Sequence, residues 1–135
     1  MASIRSFEEL ESWKTGRELC KIIGRLIDSG HFRENYALIK QIDGSSGSIM
    51  DNIAEGFERG SKNEFILFLG YSRGSCAELR SQIIRAADRG YITQKEADDL
   101  SELTKRISAM NYSLIKYLRN TQIEGIRNKV TKPKL

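Results

Sequence analysis

The sequence predicts an all-α protein: an antiparallel, up-down-up-down four-helix bundle over residues 1–120, then a short, basic, flexible tail over 121–135. Three observations carry this. A hydroxyl residue stands three positions before a glutamate at Ser6–Glu9, Ser61–Glu64 and Thr93–Glu96, each time ahead of an apolar-periodic run. In such a capping box the two side chains satisfy backbone N–H groups that a helix start leaves unpaired. Apolar residues then recur at alternating steps of three and four, which puts them on one stripe of a helix. Finally, the chain has one proline in 135 residues, so nearly every backbone N–H is available to a helical hydrogen bond.

The first helix opens at Ser6–Glu9 and places Trp13, Gly16, Cys20, Ile23 and Ile27 on its stripe, with Gly30 as its stop. The second, over about 34–58, carries Ile39, Ile42, Ser46, Ile49, Ile53 and Phe57, with Met50 and Ala54 alongside. Gly60 separates it from the third, which opens at Ser61–Glu64 and carries Phe65, Leu69, Ser72, Cys76, Leu79, Ile83 and Ala86. Gly90 ends that helix, and the fourth opens at Thr93–Glu96 with Leu100, Leu103, Ile107, Met110 and Leu114. Glycine suits both stops because it takes the left-handed conformation that closes a helix. The connections, around 31–33, 59–60 and 91–92, are short, and short links between long helices force antiparallel neighbours. No stretch shows the strict alternation of a half-buried strand.

Composition narrows the function. The chain is 39% hydrophobic and 30% charged, which fits a folded, water-facing domain of 15.4 kDa. Its longest uncharged run is nine residues, 107–115, far short of the ~20 that span a bilayer. Glu8, Glu9 and Glu11 sit where a signal peptide would be basic and then apolar, so the expectation is a cytoplasmic protein with no membrane association. Two cysteines and one histidine cannot build a disulfide framework, a four-ligand zinc site or a di-iron bundle with its paired Glu-x-x-His motifs. No metal, cofactor or catalytic residue is expected. The charge is uneven: residues 1–115 carry 16 basic and 17 acidic side chains, residues 116–135 six basic and one acidic. Lys116, Arg119, Arg127, Lys129, Lys132 and Lys134 are therefore the candidate nucleic-acid contacts, with a solubilising tail as the plainer reading.

Other motifs read as packing. Residues 43–48, Asp-Gly-Ser-Ser-Gly-Ser, lack the Lys and Ser/Thr that a phosphate-binding loop needs after its last glycine. They read as a helical stretch of small side chains that lets another helix approach, or as a local kink. Gly70, Gly74, Ala77 and Ser81 make a small face on the third helix, suited to packing within the bundle or between subunits. Asn52, Glu55 and Arg59 lie beside the apolar seam of the second helix, and Glu78 flanks that of the third; a polar network that fixes helix register is the expected role. Cys20 and Cys76 fall on seams and read as buried thiols. His31 reads as a turn residue. The charges of the first helix alternate in sign, as on a solvated face.

Ser48-Ile49-Met50-Asp51-Asn52-Ile53-Ala54-Glu55-Gly56-x-x-Arg59 resembles the signature Ser-Ile-x-x-Asn-Ile-Ala-Glu-Gly-x-x-Arg of a bacterial family. Its members are four-helix-bundle proteins encoded in intervening sequences of large-subunit ribosomal RNA genes. The likeness extends to Phe7-x-x-Leu10-x-x-Trp13, Tyr36-x-Leu38, Gln41-Ile42, Ser61-x-x-Glu64-Phe65-x-x-Phe68-Leu69, Gly74-Ser75-x-x-Glu78-Leu79 and Gly90-Tyr91-Ile92. The resemblance implies a ring-like homopentamer of poorly defined activity. Similarity to the accessory proteins of diversity-generating retroelements, basic pentameric bundles that bind nucleic acid, implies RNA or DNA as partner. Two positions depart from the family pattern. Asp43 and Gly44 stand where basic residues often follow Gln-Ile, and Met50 stands where proline often follows Ser-Ile. The first departure shifts the weight of any nucleic-acid contact to the C-terminal end. The expected function is thus a non-enzymatic, homo-oligomeric nucleic-acid-binding or scaffold protein, with a protein–protein adaptor as the alternative. Asn52, Glu55, Gly56, Arg59, Gly74, Ser75 and Glu78 are the motif residues assigned to packing or a polar network.

Overall fold

A computed structural model describes residues 4–121. A single 3-10 turn, Phe7–Glu9, precedes four helices: α1 (Glu11–Asp28), α2 (Tyr36–Glu58), α3 (Lys62–Asp88) and α4 (Gln94–Arg119). The described residues contain no strand, and none of their helices is long and apolar enough to cross a membrane. Each helix packs on its neighbour in sequence, and α4 closes back on α1, which completes the up-down-up-down bundle.

The N-terminal signal caps something smaller than expected. The Glu9 carboxylate accepts from the backbone N–H of Arg5 (2.7 Å) and of Ser6 (3.0 Å), but the turn it closes is only Phe7–Glu9. Leu10 is extended (φ −74°, ψ 127°), and α1 starts after it. Phe7 meets Trp13 edge-on at 5.2 Å across this break. At α3, Ser61 Oγ accepts from the Glu64 N–H at 3.1 Å. At α4 the box is complete: Glu96 N–H donates to Thr93 Oγ1 (3.1 Å), and Thr93 N–H to Glu96 Oε1 (2.8 Å).

The stops use one device twice. Gly30 and Gly90 both have φ of +76°. After each, the next N–H reaches back five residues, His31 to the Leu26 carbonyl and Tyr91 to that of Ala86. This pattern satisfies the last carbonyls of a helix and needs a residue that tolerates positive φ. The two turns lie at the same end of the bundle and hold each other. Phe32, buried in the α1–α2 connection, meets Tyr91 of the α3–α4 connection edge-on at 6.3 Å. Asn35 Nδ2 donates to the Tyr91 hydroxyl at 3.3 Å, which with nearby Arg89 holds that hydroxyl below its ordinary pKa. His31 lies in this turn, with Nε2 3.8 Å from the Glu96 carboxylate.

The core agrees with the expected seam fully on α3, where Phe65, Leu69, Ser72, Cys76, Leu79, Ile83 and Ala86 are all buried. On α1 the seam is Ser12, Gly16, Leu19, Ile23 and Leu26, so Trp13, Cys20 and Ile27 sit one position off it and are only half-buried. On α4 the seam is Ala97, Leu100, Thr104, Ile107, Asn111, Ile115 and Leu118 rather than one through Leu103, Met110 and Leu114. The Asp-Gly-Ser-Ser-Gly-Ser run is helical throughout, and its centre is a docking point for α1. Ser46 is buried, its carbonyl accepts from the Cys20 thiol at 3.1 Å, and a Cβ on Gly16 would lie 3.2 Å from Met50 Cβ. Gly44, by contrast, has open space where a Cβ would be.

Candidate functional site

Three places hold the residues singled out by sequence. The first is the joint between α2 and α3. Asn52 Nδ2 donates to the Ser48 carbonyl one turn back (2.8 Å), an intrahelical bond. Arg59 bonds Glu55 at 2.9 Å and Glu64 at 3.3 Å, so one guanidinium bridges the end of α2 and the start of α3. That guanidinium also lies 5.0 Å from the Phe68 ring centroid. The Glu55 bond is the main reason its pKa rises further above the ordinary arginine value. All three charged side chains remain about half exposed, so the network is a surface clasp worth little energy by itself. Gly56 does more for the joint. A Cβ there would lie 2.5 Å from Phe68 Cβ and 3.2 Å from Phe65 Cδ1, so the bare backbone is what lets α3 approach.

The second place is the outer side of α3. Gly74 and Glu78 are exposed, Ser75 is buried, and nothing lies within 4 Å of a Cβ built on Gly74. No hydrogen bond or ion pair among the described residues joins these three to Asn52, Glu55 or Arg59. The small face is wholly outward: Gly70, Gly74, Ala77 and Ser81 are all exposed. Leu67 and Ile84 extend it at the same three-four spacing, 49% and 53% exposed.

The third place is the end of α4. Lys116 and Arg119 are exposed on its last turn, where cations are favoured by the helix dipole. Arg127, Lys129, Lys132 and Lys134 lie outside the described residues.

Two features escaped the sequence reading. One is a buried relay across three helices: Asn111 Nδ2 donates to Ser72 Oγ (3.0 Å), and Ser72 donates to the Ile49 carbonyl (2.7 Å). Asn111 Oδ1 has no partner. The signal was present, since 97, 100, 104, 107 and 111 continue the three-four step, but Leu103 and Met110 offered a greasier stripe. The other is an open groove of about 370 Å³ between α3 and α4, lined by Leu67, Gly70, Tyr71, Arg73, Tyr112 and Arg119 among others. Arg73 stacks on Tyr112, 5.1 Å from the ring centroid, and its Nε donates to Ser108 Oγ at 3.2 Å.

Burial is the main cause that pushes the Cys76 thiol up to about 12 and raises that of Cys20, and among the described residues no group of three or more His, Cys, Asp or Glu could hold a metal ion.

The fold has a solved counterpart. A protein of unknown function from the S23 ribosomal protein family of Bacteroides thetaiotaomicron superposes with a TM-score of 0.72. The two are 23% identical, and the match covers 78% of this chain and 98% of that one. None of the curated proteins searched matches the chain. The 23S rRNA-intervening sequence protein family matches residues 8–113, a span that includes the α2 motif with its Gly56 joint, the outer face of α3 and most of α4. With that match over most of its length, the chain belongs to the 23S rRNA-intervening sequence protein family.

Proposed function

We propose that the chain is a non-enzymatic, self-assembling bundle that serves as a nucleic-acid-binding or scaffold protein. The observation that carries the self-assembly is the outer face of α3. Leu67, Gly70, Gly74, Ala77, Ser81 and Ile84 form an exposed stripe without a single charge, about 25 Å long at 1.5 Å per residue. A helix face turned permanently to water is normally charged, whereas small residues at heptad spacing let a second helix approach closely. The family resemblance supports another copy as the source of the second helix and a pentamer as the assembly. Light scattering coupled to size-exclusion chromatography is expected to give about five subunits. Ala77→Glu, which puts a charge on the stripe without touching the core, is expected to give monomers or smaller species. A wild-type monomer at micromolar concentration defeats the assembly.

The nucleic-acid part rests on charge. Lys116 and Arg119 at the end of α4 precede Arg127, Lys129, Lys132 and Lys134, while residues 1–115 are nearly neutral. Five copies would gather about 25 net positive charges, enough to displace many phosphate counterions. Binding to labelled RNA or DNA is expected to fall steeply with salt, with a log–log slope near −0.9 per phosphate neutralised on duplex DNA and about −0.7 on single strands. Deleting the residues after Gly125 removes four cations and leaves all four helices, so it should flatten the slope and spare the fold. Fluorescence anisotropy across a salt series reads both. No binding at low salt by the full-length protein would instead favour a protein–protein adaptor.

A further inference from the structure

We propose that the α3/α4 groove is a binding track for single-stranded nucleic acid, with Arg73 and Arg119 on phosphates and Tyr71 and Tyr112 on bases. The inference rests on the nucleic-acid reading above but places the contact on the folded body rather than in the C-terminal segment; it takes the Leu67–Gly70 end of the α3 face and leaves Gly74, Ala77, Ser81 and Ile84 to the subunit contact.

The groove combines two features, unpaired cations and exposed aromatic rings. Its cations are uncompensated: neither Arg73 nor Arg119 has a carboxylate within ion-pair distance among the described residues, and no acidic side chain lines this part of the groove. Several other surface cations are paired, Lys14 with Glu11, Lys21 with Glu18, Arg59 with two glutamates, and Lys95 with Asp99. Arg73 is also oriented. Its Nε is tied to Ser108 and its plane rests on Tyr112, while its two terminal nitrogens have no acceptor among the described residues. A guanidinium held in one orientation with a free donor pair matches the two oxygens of a phosphate.

The second feature is the pair of rings. Tyr71 and Tyr112 are 50% and 46% exposed, and Tyr71 meets Phe68 edge-on at 5.3 Å. Tyr112 and Arg119 are seven residues apart on α4, so they lie on one line about 10.5 Å apart along the groove. Cations beside exposed aromatic rings are the recurrent solution for single strands, because every base has a face to stack and every nucleotide a phosphate to neutralise. The geometry disfavours a duplex: packed helices have axes only about 8–10 Å apart, and the crease between them admits a strand but not a double helix. Further along the same crease Asp88 and Asp98 join Arg80 and Lys105, so the track is confined to the Arg73–Arg119 end.

The test uses the full-length protein with labelled oligouridine and oligothymidine of about 15 nucleotides, a length at the upper end of site sizes for single-strand binding folds. A blunt duplex of the same length serves as comparison. Wild type is expected to bind both single strands more tightly than the duplex. Tyr112→Leu is expected to weaken single-strand binding about tenfold and leave duplex binding unchanged, in line with losses seen on removing one stacking ring. Arg73→Gln is expected to reduce the salt slope on single strands by about 0.7, one phosphate's worth. Both side chains are exposed, so circular dichroism and light scattering should match wild type. Wild-type affinity and slope in both variants, with binding abolished by truncation after Gly125, would overturn the groove and leave the nucleic-acid reading standing. No binding by wild type at low salt would overturn both.

Discussion

Gly56→Ala is expected to destabilise the bundle by roughly 1–2 kcal/mol, whereas Gly44→Ala in the same helix is expected to stabilise it by about 0.5–1 kcal/mol. The two substitutions make the same gain in helix propensity, about 1 kcal/mol, because glycine loses more backbone freedom on folding. They differ in what the new methyl meets. At position 44 it meets nothing within 4 Å. At position 56 it meets Phe68 Cβ at 2.5 Å, an atom fixed to the α3 backbone, so a side-chain rotation cannot relieve the clash. Helix α3 must move away, and the edge-on Phe57–Phe65 contact at 5.8 Å moves with it. Overpacking of this kind costs about 1–3 kcal/mol, more than the propensity gain. Urea unfolding followed by circular dichroism, at one fixed protein concentration because assembly shifts apparent stability, reads both variants. A Gly56→Ala protein as stable as wild type would show that the joint is looser than described.

The buried relay supplies the second large effect. Ser72→Ala is expected to cost about 1–3 kcal/mol, because it leaves the Asn111 amide with no partner for either of its ends in a fully buried site. Asn111→Leu is expected to be neutral or stabilising. It removes a carbonyl that already lacks a partner, and Ser72 keeps its bond to the Ile49 carbonyl. In the Asn111→Leu background, Ser72→Ala should then cost under about 1 kcal/mol, and the difference is the coupling energy of the pair. Equal costs in both backgrounds would mean that Ser72 acts through packing alone.

The helices, their order and the α3 seam were legible because they depend on local chemistry: caps, glycine stops and a stripe that alternates three and four. The α1 and α4 seams were misplaced by one position in places, for a common reason. Choosing the larger apolar side chain selects Trp13, Leu103 and Met110, which lie half-buried at the edge of the core, and keeping step with Trp13 then selects Cys20 and Ile27 over the buried Leu19 and Leu26. The true interior takes Ser12, Thr104 and Asn111 instead, since a point where helices approach closely needs a small side chain or a paired polar one. Gly56 stood out in its motif, but its reason depends on the α2–α3 register, which places Phe68 over it. The Arg73–Tyr112 stack is hidden more deeply, as it joins residues 39 positions apart across two antiparallel helices. A sequence shows both residues but not their distance.

The circular order of packing has a kinetic corollary. Three of the four helix pairs join consecutive helices, so each closes a loop of only a few residues and loses little chain entropy in doing so. The α1–α4 contact alone brings together segments from opposite ends of the chain. Folding is therefore expected to advance by hairpins, with closure of α1 onto α4 as the late, slow event. During synthesis α1, α2 and α3 can dock before α4 has left the ribosome, and the α3/α4 crease with its Arg73–Tyr112 stack is among the last parts of the surface to take shape.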